Sequence, residues 1–212
     1  MHTTQLSGLY AITDSSQEQL AQEVELALKG GARIIQYRDK SSDSSKRLAQ
    51  TEKLLELCRR HSAYLIINDD VELASAAGAD GVHLGQDDLD ITSARMQLGE
   101  QAIIGVSCYN RLELAIAAQE AGANYVAFGR FFPSKTKPQA VQAEIELLSE
   151  AKKKLQLPIV AIGGITPENG AALIAAGADM LAVIQGVFGQ RDIRAAAEQF
   201  EQLFEQKEGA AS

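Results

Sequence analysis

The sequence predicts one α/β domain, a closed (β/α)8 barrel of the TIM-barrel class, and three observations carry that expectation. A small-residue turn followed by an apolar run recurs four times. Apolar runs alternate with amphipathic helical segments along the chain. The 212 residues divide into eight such units of about 26 residues, near the lower size limit of this barrel. The recurring segments are Gly30-Gly31-Ala32-Arg33-Ile34-Ile35, Ala77-Gly78-Ala79-Asp80-Gly81-Val82, Ala121-Gly122-Ala123-Asn124-Tyr125-Val126 and Ala176-Gly177-Ala178-Asp179-Met180-Leu181. Their glycines fall at 31, 78, 122 and 177, at intervals of 47, 44 and 55 residues. A glycine closing an Ala-rich helical stretch suits a helix C-terminus, where it adopts the left-handed conformation without a Cβ penalty. The apolar run after it reads as a buried strand.

Taken in order, the first strand spans 8–13 and is followed by a helical segment at 17–28. The second strand begins at Ile34, and a helix over 46–60 leads to the third strand at 63–68. The fourth follows Ala79, and the fifth runs over 102–107 into a helix at 112–121. The sixth follows Ala123, a helix over 140–155 precedes the seventh at 158–164, and the eighth begins near Met180. Strands alternating with helices predict parallel pairing with helical crossovers. An open doubly wound sheet is the rival, and the near-even repeat favours closure. With no linker or low-complexity stretch, residues 1–212 are expected to form one domain, its core over about 8–206 and a short frayed tail at 207–212.

Twenty Lys and Arg against 28 Asp and Glu give a net charge of −8, which counts against a broad nucleic-acid surface. An anionic ligand therefore needs a local cationic pocket. Two cysteines, Cys58 and Cys108, are too few for a disulfide framework. The first fourteen residues lack the basic and apolar regions of a secretion signal, and no apolar run is long enough to cross a membrane. The expectation is a cytoplasmic protein acting on small molecules, its oligomeric state open between monomer and homodimer.

In a closed barrel, chemistry belongs at the C-terminal strand ends. The second strand ends Gln36-Tyr37-Arg38-Asp39-Lys40, where alternation places Ile34, Gln36, Arg38 and Lys40 on one face and Tyr37 and Asp39 on the other. Arg and Lys two apart form a natural phosphate clamp, the alternative being solvated charges at a frayed end. The third strand ends Asn68-Asp69-Asp70, and Gly85-Gln86-Asp87-Asp88 follows the fourth. Carboxylates on neighbouring strand ends can share a magnesium ion, which takes one or two of them plus waters and phosphate oxygens. One of Asp69 and Asp70, and one of Asp87 and Asp88, can instead cap the following helix. Ser107 ends the fifth strand as a ligand or a cap. Residues 131–138, with Lys135, Lys137, Ser134 and Thr136, read as a polar loop able to close over an anion. Gly163-Gly164-Ile165-Thr166-Pro167 pairs a glycine turn with an N-cap and a first-turn proline, leaving backbone N–H groups for a phosphate. Ile184-Gln185-Gly186 closes the eighth strand, and loops seven and eight are the recurrent phosphate site of these barrels. His2, His61 and His83 show no metal spacing and read as ordinary side chains.

In register, these strand-end motifs, together with Gly105-Val106-Ser107, resemble the signatures of the thiamine phosphate synthase family from Gly8 to about Gly189. The family has the (β/α)8 fold. The resemblance implies a transferase that joins hydroxymethylpyrimidine diphosphate to a (carboxy)thiazole phosphate, releasing pyrophosphate and, from the carboxylated form, CO2. It implies that Gln36, Tyr37, Arg38, Asp39, Lys40, Asn68 and Lys137 hold the pyrimidine diphosphate, with Ser107 on the pyrimidine. Asp69 and Asp88 would bind one Mg2+ per site, leaving Asp70 and Asp87 as caps. Ser134, Lys135, Thr136, Gly164, Ile184 and Gln185 would hold the thiazole phosphate. Arg38, Lys40 and Lys137 would balance charge on the leaving oxygen, and Ser107 would complete the catalytic set. The implied mechanism is dissociative, through a pyrimidine methylene cation that needs a water-excluding lid, for which 131–138 is the candidate. Ser134 stands where the family commonly has Thr, and Gln185 where a Ser often follows the eighth strand. The related thiazole tautomerase shares the barrel, but its resemblance implies a His near the fifth strand, whereas Cys108-Tyr109-Asn110 follows Ser107 here. A phosphosugar-type barrel isomerase and a non-catalytic relative are further alternatives; the second is disfavoured by the intact charged set.

Overall fold

Each strand is short and apolar on both faces, so it needs cover from inside and outside, and a closed sheet ringed by helices supplies both. The structure is a computed structural model describing residues 6–14, 19–88, 90–133 and 141–210, with side chains to 206. Its elements alternate as predicted. The first half comprises β1 (Gly8–Ile12), α1 (Leu20–Lys29), β2 (Ile34–Tyr37), α2 (Ser44–Arg60), β3 (Tyr64–Asn68), α3 (Val71–Ala77), β4 (Gly81–Leu84) and α4 (Ile91–Leu98). The second half comprises β5 (Ile103–Tyr109), α5 (Leu112–Glu120), β6 (Tyr125–Gly129), α6 (Glu146–Lys154), β7 (Ile159–Ile162), α7 (Pro167–Ala176), β8 (Met180–Val183) and α8 (Ile193–Ala210). All neighbouring strands are parallel, and β8 pairs with β1 to close the barrel. Several boundaries differ from expectation, two of them by more than three residues. The sixth helix begins at Glu146 rather than at 140, and α8 runs to Ala210, past the 207 boundary where the tail was expected to fray.

The repeat has a structural reason. Gly31, Gly78, Gly122 and Gly177 all have positive φ, between 64° and 121°, and turn the chain from a helix into an even-numbered strand. The polar residue two places later then seals the barrel floor. The Asp80 carboxylate accepts from Leu65 N (2.7 Å), the Asn124 side-chain oxygen from Ile104 N (2.8 Å) and the Asp179 carboxylate from Ile159 N (2.9 Å). Each thus satisfies an N–H at the start of the preceding odd strand, a group that otherwise remains unpaired near a buried layer. The first repeat carries Arg33 there, and its guanidinium pairs with Glu201 of α8 at 2.8 Å. Arg95 of α4 ties the floor further, donating to the carbonyls of Ala102 and Gly122 and to the Asn124 side chain.

Two apolar layers result. The outer one lies between sheet and helices, with Leu9, Ile35, Leu65, Val126, Leu181 and Phe200 fully buried. The inner one fills the barrel with Tyr10, Ile34, Ile66, Tyr125, Val160 and Met180. Alternation along the strands, one residue inward and the next outward, generates both. Among the described residues no helix is long and apolar enough to cross a membrane.

Candidate active site

At the C-terminal end of the barrel the inward positions turn from apolar to polar. Ile34 and Gln36 both face the interior, as alternation along the second strand predicts, and Gln36 is 3% exposed. Its amide Nε2 donates to the Tyr10 hydroxyl (2.8 Å), which meets the Tyr125 hydroxyl at 2.7 Å. Tyr125 in turn lies 3.0 Å from His83 Nδ1, and His83 Nε2 lies 2.9 Å from Ser107 Oγ. Hydroxyls and an imidazole this deep are costly unless hydrogen-bonded, and the chain of contacts meets that requirement. Burial raises the pKa of both phenols, so they stay protonated and able to donate. The Tyr125 ring fits only because Gly105 on β5 faces it: a Cβ there would stand 1.9 Å from Tyr125 Cζ.

These contacts revise three sequence-based readings. Ser107 does not cap the next helix; it is bound to His83. His83 is neither a surface group nor an isolated core residue, since both ring nitrogens are engaged on the barrel axis. The fifth strand end, which looked free of histidine because none follows Ser107, receives one from β4. The signal was available, since His83 falls on the opposite face of its strand from the outer-layer residues Val82 and Leu84.

The acidic residues separate into caps and a facing pair. Asp70 caps α3, accepting from Leu73 N, and is held by the Arg47 guanidinium at 2.8 Å. The helix α4 is capped by Asp90, through Ser93 N, and not by Asp87 or Asp88. Asp87 is exposed and caps no helix, while Asp69 and Asp88 face each other, their carboxyls within hydrogen-bonding reach. Partial burial and the Asp88 carboxylate push the Asp69 pKa up, against the opposing effects of the Asn68 amide and the Arg38 guanidinium. Asp69 has φ +64°, a left-handed conformation that Asp tolerates better than most residues. It is fixed there by Asp69 N donating to His83 O (2.8 Å) and by Asn68 Nδ2 donating to its carboxylate (2.6 Å). Asp88 is fixed by Gly85 N at 2.5 Å.

The second strand end divides as its alternation predicts, which reassigns two residues of the implied diphosphate set. Tyr37 is buried in the outer layer and donates to Gln50 of α2 (2.8 Å). Asp39 accepts from Ser41 N (2.7 Å) and faces Lys46. Both side chains brace the loop after β2 from outside the barrel. Arg38 is half-buried and lies close enough to Asp69 to lower its pKa, and Lys40 is exposed.

The sixth loop is anchored more firmly at its start than its polar composition suggests. Phe131 is buried in the outer layer, and Phe131 N and Phe132 N donate to the carbonyls of Ile162 and Gly163. Ser134, Lys135, Thr136 and Lys137 lie outside the described residues. Beyond β7, Thr166 and Pro167 start α7 as expected, with the Asn169 side chain accepting from Thr166 N (2.9 Å) and donating to Gly164 O (3.1 Å). Ile184 packs on the inner layer, and Gln185 donates to the Asp14 carboxylate at 3.0 Å. Asp14 and Asn169 are neighbours of this corner that sequence reasoning did not single out. Burial pushes the Cys58 and Cys108 thiols up to about 12, so neither is a ready nucleophile.

The arrangement offers a cationic strand end, a facing carboxylate pair and a hydrogen-bonded polar layer over the inner apolar one. Among the described residues no cluster of three or more His, Cys, Asp or Glu could hold a metal by itself. Comparison with known proteins points the same way. Residues 9–187 match the sequence model of the thiamine monophosphate synthase family. The chain is 57% identical over 205 residues to the thiamine-phosphate synthase of Nitrosococcus oceani, covering 95% of this chain and 94% of that protein. It is 52% identical to that of Thioalkalivibrio sulfidiphilus, covering 94% and 96%. Among solved structures, thiamine phosphate pyrophosphorylase from Pyrococcus furiosus superposes with a TM-score of 0.87 at 35% identity, covering 94% of this chain and 96% of that one.

Proposed function

The chain belongs to the thiamine monophosphate synthase family, and from that premise we propose that it is a magnesium-dependent transferase condensing hydroxymethylpyrimidine diphosphate with thiazole phosphate. The products are thiamine phosphate and pyrophosphate, with CO2 released when the thiazole is carboxylated. The observation that carries the reading is the approach of Asp69 and Asp88, with Arg38 close enough to act on Asp69, in the loops that follow β3 and β4.

The residues present fit a magnesium ion. Two hard carboxylates converge, and among the described residues no third His, Cys, Asp or Glu joins them, which suits an ion that completes its octahedron with water and phosphate oxygens. Asp69 and Asp88 would hold it, and bound there it would supply positive charge to the diphosphate oxygens. In the reaction, the pyrimidine CH2–O bond breaks and its electron pair leaves with pyrophosphate; the thiazole nitrogen then donates its lone pair to the methylene carbon. The chain's task is to balance charge growing on the leaving oxygen. Arg38, Lys40 and Lys137 would supply the cations that balance it, the kind of electrostatic stabilisation that gives the largest catalytic term. Gln36 and Ser107 orient the pyrimidine ring, and the Asn68 amide steadies Asp69. Gly164, Ile184 and Gln185, with Ser134, Lys135 and Thr136, would receive the thiazole phosphate. No side chain need accept a proton in the bond exchange, so the mechanism gives His83 no proton-transfer role.

Calorimetry tests this assignment. Mg2+ alone should bind weakly, because two carboxylates leave most of its coordination to water. The pyrimidine diphosphate should bind at least about tenfold tighter with Mg2+ than with chelator, each tenfold corresponding to about 1.4 kcal/mol. Equal affinity under the two conditions would remove the metal from the reading.

A further inference from the structure

Five side chains from five strands form one unbroken hydrogen-bonded chain across the barrel: Gln36 of β2, Tyr10 of β1, Tyr125 of β6, His83 of β4 and Ser107 of β5. The three middle members each have one proton to give and one lone pair to fill along the chain, if the imidazole is neutral. Two directions then run unbroken from end to end, with each member giving its proton to the next. In the first, the Gln36 amide N–H donates to Tyr10, Tyr10 to Tyr125, Tyr125 to His83 Nδ1, and His83 Nε2–H to Ser107. The Ser107 proton then points away from the chain, and the Gln36 carbonyl oxygen is left to accept. In the second, every bond reverses: Ser107 donates inward and Gln36 presents its N–H groups instead.

We propose that Tyr10, Tyr125 and His83 are positioning residues, a buried relay that couples Gln36 to Ser107 so that one end donates only when the other accepts. The first direction is the one in which Gln36 Nε2 faces Tyr10 at 2.8 Å. It presents an acceptor at Gln36 and a donor at Ser107. An aminopyrimidine offers the complement, an amino N–H beside a ring nitrogen lone pair. An oxopyrimidine of the same shape offers a carbonyl beside a ring N–H and matches neither end. Specificity for the amino group is thus a property of the whole relay and not of Gln36 alone. Among the described residues neither the Gln36 amide nor the Ser107 hydroxyl makes another hydrogen bond, so both ends are available to one ligand. The inference rests on the pyrimidine diphosphate reading above.

The test compares the full-length protein with its Tyr125→Phe and Tyr10→Phe variants, which keep the rings and interrupt the relay. Each is titrated with the aminopyrimidine diphosphate and with its 4-oxo analogue, and the readout is the ratio of the two affinities. The wild type is expected to prefer the amino compound by at least about 100-fold, as sites built to pair polar groups do. Either variant should reduce that preference to about tenfold or less, while thiazole phosphate affinity is unchanged. Loss of packing alone would weaken both pyrimidines equally and leave the ratio intact. An unchanged ratio in a folded variant would overturn the relay and leave the enzyme assignment standing. A wild type that binds neither pyrimidine would overturn both.

Discussion

Asp69→Asn is expected to fold as the wild type does and to lose nearly all magnesium-dependent turnover. The backbone at 69 has φ +64°, and Asn is among the few residues that share the tolerance of Asp for that conformation. The Asn oxygen can still accept from Asn68 Nδ2, and the new side chain no longer sets two carboxyls against each other. Stability should therefore be equal to that of the wild type or slightly higher. Activity should move the other way. One of the two hard anionic ligands is gone, and several kcal/mol of charge stabilisation at the diphosphate go with it, a turnover loss on the order of 10^3-fold. The pairing of an unchanged melting temperature with lost turnover separates a ligand role from a structural one. Full retained activity would remove the metal assignment.

Gly105→Ala should have the largest effect on stability. Its added methyl would lie 1.9 Å from Tyr125 Cζ and within 2.4 Å of both flanking ring carbons. Tyr125 has little room to retreat: its hydroxyl is tied to Tyr10 and His83, and its ring stacks on His83 with centroids 5.6 Å apart. Overpacking of an unyielding core costs about 3 kcal/mol. For a domain of this length that corresponds to a melting temperature lower by roughly 6–12 °C. Gly122→Ala is the matched control. It has φ +91° but nothing within 4 Å of the missing Cβ, so only backbone strain of about 1 kcal/mol applies. Equal melting temperatures for the two variants would show that the Tyr125 ring yields.

The barrel was legible because its periodicity is physical. Each helix must end, each strand must begin and each odd strand has an N–H to satisfy, so Ala-Gly-Ala followed by Asp or Asn marks three of the four repeats. The face of Gln36 followed from alternation in the same way. Which aspartate caps and which meets its counterpart was not readable from spacing; the family resemblance separated Asp69 from Asp70, and neither route identified Asp90 as the cap of α4. The relay escaped for a different reason. Tyr10 and Tyr125 look like core aromatics in any hydrophobic pattern, and their hydroxyls meet across 115 residues of sequence. Only closure of the sheet brings them together, with Gly105 as the one local hint. Phe131 was hidden by its polar neighbours, because its burial depends on backbone pairing with β7 rather than on its own segment.

The most direct measurement is pyrophosphate release from hydroxymethylpyrimidine diphosphate, with each of thiazole phosphate and Mg2+ present or withheld. Substantial release is expected only when all three components are together, because the leaving group needs its charge balanced and the methylene carbon needs its nucleophile. Release at the same rate without thiazole phosphate, or none with all three present, would contradict the account.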